Sequence, residues 1–319
     1  MRYRPCFLGD RPNVDPLSDV LSLLAIRGYR AGGFDMAGDL SLHFAAHHGI
    51  KCYAVTAGTV WLALDGPEPP VLLQAGDCFI LPHGRPFRMA TDLALPPQEF
   101  HTFIAKFGTG RLAALNGGGG PQVLGSFFAF EGRGADMLLN MLPPIVHLRS
   151  DEDRETLRAN LARMRQELLE DRPGSALIVQ QLATMILIQA LRLHLDASDG
   201  VGWLFALADR QVAAALRAIH SDPARRWTVG TLAGEVGMSR SSFAARFRAR
   251  VGDGPIEYLT RWRMLLAGRD LARGDPVGIV SRALGYESES AFSTAFKRVM
   301  GHPPRRHGRS PPAGTSLAA

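Results

Sequence analysis

From Leu40 to about Phe107 the apolar residues come in short runs: LSLHFAA, IKCYAVT, TVWLALD, PVLLQ, DCFILP, FRMAT and EFHTFIAKF. Gly49, Gly58, Asp65–Gly66, Ala75–Gly76–Asp77 and Pro82–His83–Gly84 break them apart. Several short strands at this spacing predict a β-sandwich or small barrel. Before them, Asp15–Arg27 predicts a short helix and Gly32–Gly33 a turn. After them, Gly117–Gly120 reads as a loop and Phe127–Phe130 as a last strand.

The period changes near Ser150. Ser150 and Asp153 resemble a capping box, with Asp in place of the usual Glu. Leu157, Leu161, Met164 and Leu168 follow at helical spacing. Pro173–Gly174 ends that run, and Ser175 opens a second helix reaching about His194. This helix is apolar nearly all round, so it belongs in a core or at a subunit interface. Residues 197–208 read as a connection, and Asp209–His220 as the first helix of a C-terminal domain.

An internal echo marks that domain. Ser239, Ser241, Phe243, Phe247, Gly252 and Pro255 recur 49 residues later as Ser288, Ser290, Phe292, Phe296, Gly301 and Pro304. Two copies are too few for a solenoid, which needs about three or more repeats. Each copy reads as helix, glycine turn, helix. Thr228–Gly237 and Val277–Gly285 are the first helices, with small residues Ala233 and Ser281 where the pair must cross. Ser239 and Ser288 cap the second helices. Phe243 with Phe247, and Phe292 with Phe296, stand four apart and face inward.

Charge follows the echo. Net charge is +6 over 319 residues. Residues 221–310 hold 16 Arg/Lys against 8 Asp/Glu, a net +8, which leaves −2 elsewhere. A local positive field of this kind attracts phosphates. Cys6, Cys52 and Cys78 are scattered, without CxxC, which fits a reducing cytoplasm better than disulfides or zinc. The start, MRYRPCFLGD, has no apolar core of a signal peptide. The most apolar stretch, Ala176–Leu191, carries three glutamines and is shorter than the ~20 residues a bilayer requires. No membrane role is expected.

Residues 209–309 resemble the DNA-binding domain of AraC/XylS-type transcription regulators. ALGYESESAFSTAFKRVMGHPPRRHGR is similar to that family's C-terminal signature, and PIEYLTRWRMLLAGRDL to its linker helix. The resemblance implies two recognition helices entering adjacent major grooves on one face of double-stranded DNA. By family position, Arg240, Ser241, Ala244 and Ala245 read bases from the first, and Glu289, Ser290, Ser293 and Thr294 from the second. Ala244 and Ala245 offer only apolar contact, for example to a thymine methyl, so readout there leans on Arg240. Arg248, Lys297, Arg298, Arg305 and Arg306 are assigned to phosphates, and the linker arginines Arg261, Arg263 and Arg269 can meet the backbone. Successive grooves lie ~34 Å apart. A linker helix of about 16 residues spans only ~24 Å, so the DNA is expected to bend.

Residues 40–110 resemble a cupin, a small jelly-roll barrel. GDCFILPHG, Gly76–Gly84, matches the second cupin motif. Metal-binding cupins place a histidine where this chain has Phe87 and a glutamate where it has Lys51. His47 or His48 matches at most one ligand. A lysine in the ring repels a cation, and a catalytic metal needs about three protein ligands. No metal or other cofactor is therefore expected. Lys51, Tyr53, Trp61, His83, Arg85 and His101 are the candidates for a pocket holding a small organic effector. Lys51 and Tyr53 share a strand face opposite Ile50, Cys52 and Ala54.

The expected architecture is α+β in two domains. Residues 1–196 form a cupin-like effector and dimerisation domain, with the barrel at about 40–130 and helices at 150–196. Residues 197–208 link it to a double helix-turn-helix domain at 209–310, and 311–319 are a disordered tail. The expected function is a sequence-specific, effector-controlled, cytoplasmic bacterial transcription regulator, not an enzyme. Its partners are DNA, RNA polymerase if it activates, and a second copy through the helices at 150–196. The alternative is a cupin metallo-enzyme, oxygenase or isomerase, fused to a DNA-targeting domain. A cysteine-acceptor DNA-repair protein and a non-specific architectural DNA binder rank below these.

Overall fold

A computed structural model describes residues 15–23, 26–102, 111–130, 142, 144–148, 155–170, 172–197 and 202–307. Cys6, the Ser150/Asp153 cap and the 311–319 tail lie outside the described residues. The chain divides into a helical unit, which includes residues 1–25 and 198 onward, and a β unit containing 26–130 and 142–197. The first helix, α1 (Pro16–Leu23), therefore belongs with the helical unit.

The β unit has strands β1 (Ile26–Met36), β2 (Ser41–Phe44), β3 (Ile50–Ala57), β4 (Thr59–Leu64), β5 (Val71–Gln74) and β6 (Cys78–Leu81). β7 (Phe87–Ala90), β8 (Gln98–Glu99), β9 (Leu112–Leu115), β10 (Gln122–Phe130) and β11 (Val146–Leu148) follow. They form two sheets, ordered β11-β6-β3-β10-β1-β9 and β5-β4-β7-β2-β8. The expected barrel is instead an open jelly-roll-like sandwich among the described residues, since no edge strand of one sheet pairs with the other. One core cluster draws on both sheets, with Phe34, Tyr53, Val55, Phe79 and Leu81 from the first and Leu42, Phe44, Leu62, Phe87 and Met89 from the second.

Gly32 and Gly33 do not turn the chain. They lie within β1, paired with Gly125 and Leu124 of β10. A Cβ at Gly33 would stand 2.8 Å from Leu112 Cδ1 and from the Val123 carbonyl oxygen, so the strand requires glycine for close approach. The run EFHTFIAKF yields only β8 and a helical turn; residues 103–107 lie outside the described residues.

Two helices follow, α2 (Glu155–Glu170) and α3 (Ser175–Ala197). Leu157, Leu161, Met164 and Leu168 are buried, as their spacing predicts. α3 packs on β1, β6 and β11, and the Tyr29 hydroxyl donates to the Val179 carbonyl at 3.0 Å. α3 is longer than the sequence expectation: its apolar stretch, Ser175–His194, has the length and composition to cross a bilayer. Val179, Leu182, Ala183, Ile186, Leu187 and Ala190 are buried within the unit, as in a core helix. Leu177, Ile178 and Met185 remain exposed, as does Leu169 of α2.

The helical unit adds α4 (Trp203–Ala206), α5 (Arg210–Ser221), α6 (Val229–Glu235), α7 (Arg240–Val251), α8 (Pro255–Ala272), α9 (Val277–Ala283), α10 (Glu289–Met300) and α11 (Pro304–His307). α4 falls in the stretch read as a connection, yet all four of its residues are buried. Asp209 caps α5, accepting from the amides of Gln211 and Val212 and from Arg246 Nε at 2.7 Å. α8 has ten buried residues and touches α7 as well as α9, α10 and α11, so it is the axis of the unit. α1 packs against α5 and α8. There His220, buried on α5, stacks on Trp262 with centroids 3.8 Å apart. Its ring nitrogens lie 2.8 Å from the Tyr258 hydroxyl and 3.3 Å from the Asp19 carboxylate.

Candidate functional site

The two echoed modules are built alike from local rules. Ser239 caps α7 by accepting from the Ser242 amide, and Ser288 caps α10 by accepting from the Ala291 amide. The turn glycines Gly237 and Gly285 have φ of 68° and 78°, a region that favours glycine. Gly252 and Gly301 end the helices in left-handed conformation. Phe243, Phe247, Phe292 and Phe296 are fully buried, and the crossing residues Ala233 and Ser281 are buried too. Thr228 adds a reciprocal capping box with Thr231 at the start of α6.

This anchoring leaves one outward face on each second helix. Arg240, Ser241, Ala245 and Arg248 are exposed, and Ala244 is half-buried. On α10, Glu289, Ser290, Thr294, Lys297 and Arg298 are exposed, and Ser293 is half-buried. Arg305 and Arg306 are exposed on α11. Two details go beyond the sequence reading. The Glu289 carboxylate folds back over α9, where a Cβ at Gly278 would stand 3.2 Å from its Cδ. Thr294 donates to the Ser290 carbonyl at 3.0 Å.

The linker arginines are engaged inside the unit. Arg261 pairs with Asp253 at 2.6 Å and with Glu257 at 3.4 Å. Arg263 donates to the carbonyls of Pro223 and Arg225. Arg269 donates to Asp270 at 2.8 Å.

The β unit holds a cavity of about 150 Å³. Strand parity turns Lys51 and Tyr53 of β3 into it, and His101 joins them after β8. Trp61, His83 and Arg85 do not line it. Trp61 is on the half-buried face of β4, opposite Val60, Leu62 and Leu64. His83 Nε2 lies 2.8 Å from the Leu142 carbonyl oxygen. Arg85 is bidentate to Glu68 and also reaches the Asp65 carbonyl, and this pairing holds the Glu68 carboxyl down at about 2. The sequence reading missed Arg30, Arg111, His43, His47, Glu99 and the rings of Phe34, Phe44, Phe100 and Phe127, all of which line the cavity. Arg30 lies on β1 and Arg111 just before β9, two strands the apolar runs did not announce. The alternation YRAGGF was the available signal.

Charge in the cavity is shaped by burial. The Lys51 ammonium sits 5.0 Å from the ring centroids of both Phe44 and Phe87, which stack 4.4 Å apart. Burial pushes the Lys51 pKa down to about 8. Burial, helped by the nearby Lys51 charge, pushes His47 down to about 3, so its ring is neutral. Burial raises the Tyr53 hydroxyl. Glu99 accepts from or pairs with His43 at 2.9 Å and lies 3.7 Å from His101.

A pair of propped, capped helix-turn-helix modules on one buried axis defines a DNA-binding protein. The comparisons make the class specific. The chain matches the cupin family over residues 15–196 and a helix-turn-helix domain over 232–310. An AraC-like transcription regulator of Streptomyces lividans is 41% identical over 302 residues, covering 93% of this chain and 99% of its own. One from Streptomyces antibioticus is 40% identical over the same length and coverage. The HTH-type transcriptional regulator AlkR of Acinetobacter baylyi is 29% identical over 282 residues, covering 85% and 91%. The chain belongs to the AraC-like transcription regulators: a cupin domain followed by a helical DNA-binding domain.

Proposed function

We infer that this regulator reads a defined duplex sequence with α7 and α10 and responds to a small organic molecule held in the β-unit cavity. The observation that carries the DNA half is the matched construction of the two modules, each with a serine cap, a glycine turn and a buried phenylalanine pair. Arg240, Ser241, Ala244 and Ala245 then face bases from α7, and Glu289, Ser290, Ser293 and Thr294 from α10. Arg248, Lys297, Arg298, Arg305 and Arg306 serve phosphates. The α8 axis has 18 residues, or about 27 Å at 1.5 Å per residue, still short of one turn of DNA at ~34 Å. The DNA therefore bends, and a permutation gel shift giving straight DNA removes that claim.

The test is selection of bound fragments from a random pool, repeated with Arg240→Ala. Wild type is expected to yield one motif. The variant is expected to lose preference at a single base pair, at a cost of about 1–3 kcal/mol. An equal loss on every sequence makes Arg240 a phosphate contact; no motif at all makes the protein an architectural binder.

The cavity fits an organic ligand better than a metal. Phe87 and Lys51 stand where a cupin metal's histidine and glutamate would, and here Phe87 stacks on Phe44 with the Lys51 ammonium over both rings. That donor set repels a cation, so the protein is read as a regulator and not an enzyme. A tight, stoichiometric Fe, Mn or Zn content in purified protein overturns this. The effector acts only if it prefers one of two arrangements of the protein. The β unit, with α2 and α3, serves as the effector and dimerisation domain, with the exposed apolar side chains of α3 as the contact between two copies. RNA polymerase is a partner if the protein activates, and the cytoplasm is its compartment.

A further inference from the structure

We propose that the cavity takes a small aldehyde of about the size of a substituted benzene, and that Lys51 captures it as a reversible imine. This rests on the reading of the cavity as the effector site and deepens it. Among the described residues no carboxylate lies within ion-pair reach of Lys51; Glu99, the acid lining the same cavity, is engaged by His43. The amine instead lies over two aromatic faces, which favour the cation but do not tie it in one geometry.

The chain's composition points the same way. It has 33 arginines and three lysines, Lys51, Lys106 and Lys297. Arginine carries nearly all of this chain's positive charge. Arginine cannot shed its proton in a protein, whereas a buried lysine can and then becomes a nucleophile. The burial that brings Lys51 to about 8 leaves a substantial neutral fraction near neutral pH. The aromatic lining and the volume of about 150 Å³ limit the guest to roughly the size of a benzene ring.

The step is balanced without a co-reactant. The Lys51 nitrogen attacks the carbonyl carbon, and its proton passes to the carbonyl oxygen to give a carbinolamine. That oxygen leaves as water, taking the second proton of the nitrogen, and a C=N bond remains. Hydrolysis returns the amine and the aldehyde, so the signal is reversible.

The experiment uses the full-length protein with benzaldehyde, and with benzoate and benzyl alcohol as non-condensing analogues. Borohydride traps any imine, and peptide mapping locates the benzyl group. One benzyl group on Lys51 is expected, formed at least about tenfold faster than on Lys297, because burial frees part of the Lys51 amine of its proton. Lys51→Arg is expected to abolish trapping while leaving the melting curve within a few degrees. If that variant does not fold, mapping of the wild type alone still decides. Even labelling of Lys51, Lys106 and Lys297 overturns the proposal. A thermal shift with benzaldehyde but no adduct at Lys51 also overturns it, yet leaves the cavity as an effector site. If none of the three compounds shifts the melting temperature, the cavity reading falls with it.

Discussion

The duplication supplies its own control for one substitution. Gly237 and Gly285 are equivalent turn residues with nearly equal positive φ, so Gly→Ala imposes the same backbone strain at both. That strain is about 1–2 kcal/mol for an L-residue in the left-handed region. A gain of about 0.4–1 kcal/mol from the stiffer unfolded chain offsets part of it. Gly237→Ala should then cost about 1 kcal/mol, because nothing lies within 4 Å of the added Cβ. At Gly285 the added Cβ would collide with the Ala224 carbonyl oxygen, 2.9 Å from its carbon and 3.1 Å from its Cα. The obstacle is backbone. It cannot step aside easily, since Arg263 holds the carbonyls on either side of Ala224, those of Pro223 and Arg225, and Trp227 Nε1 donates to the Asp222 carbonyl at 2.9 Å. Overpacking of this kind adds about 1–3 kcal/mol. The expected total at Gly285 is about 2–4 kcal/mol, measured by urea unfolding with Trp227 and Trp262 fluorescence as probes. Equal losses at the two glycines refute the argument, because they mean that the second turn does not rest on residue 224.

Phe296→Ala should cost about 3–5 kcal/mol, since the ring is fully buried among Phe292, His302 and His307; an unchanged melting curve means that the helix phase is wrong. His220 supplies a pH dependence. Burial holds its pKa below the usual value despite the opposing pull of Asp19, so the unfolded chain takes up a proton that the folded chain resists. Its share of stability is whole above about pH 6.5 and declines below it, by at most about 1.4 kcal/mol per pH unit. Subtracting the His220→Phe profile from wild type isolates this slope, and a flat difference counts against it. Asp19→Asn removes the opposing pull and should extend the decline to lower pH. For the dimer, Leu177→Glu with Met185→Glu should weaken self-association at least about tenfold, or 1.4 kcal/mol, in sedimentation; identical profiles move the contact off α3.

The helical unit was legible because its signals are local. A serine cap, a glycine at positive φ and two phenylalanines four apart each act within one turn of helix, and the echo presents them twice. In the β unit the six apolar runs from Leu40 to Thr91 were legible as β2 to β7, whether one face alternates, as in β4, or both are buried, as in β6. β1 was misread because its two glycines obey a tertiary demand. At Gly33 the neighbours Leu112, Val123 and Leu124 leave no room for a Cβ, and at Gly125 of β10 the Tyr53 ring comes within 2.5 Å of where one would be. The local rule says turn; packing makes it a strand.

The same blindness split the cavity assignment. Strand parity is a local property, so Lys51 and Tyr53 could be placed on a common face, but which face closes a cavity depends on the opposite sheet. His83 and Arg85 lie beyond the inward-facing β6 residues, in a segment where both are taken by neighbours: the Leu142 carbonyl for one, Glu68 and Asp65 for the other. A polar side chain satisfied by its surroundings has nothing left to offer a ligand, whatever its chemical type. Lys51 has no such acidic partner among the described residues, and the cavity opens where it stands. Residue type therefore nominated six candidates equally, while the fold alone, through the face each side chain takes and the partners it meets, separates Lys51, Tyr53 and His101 from the rest.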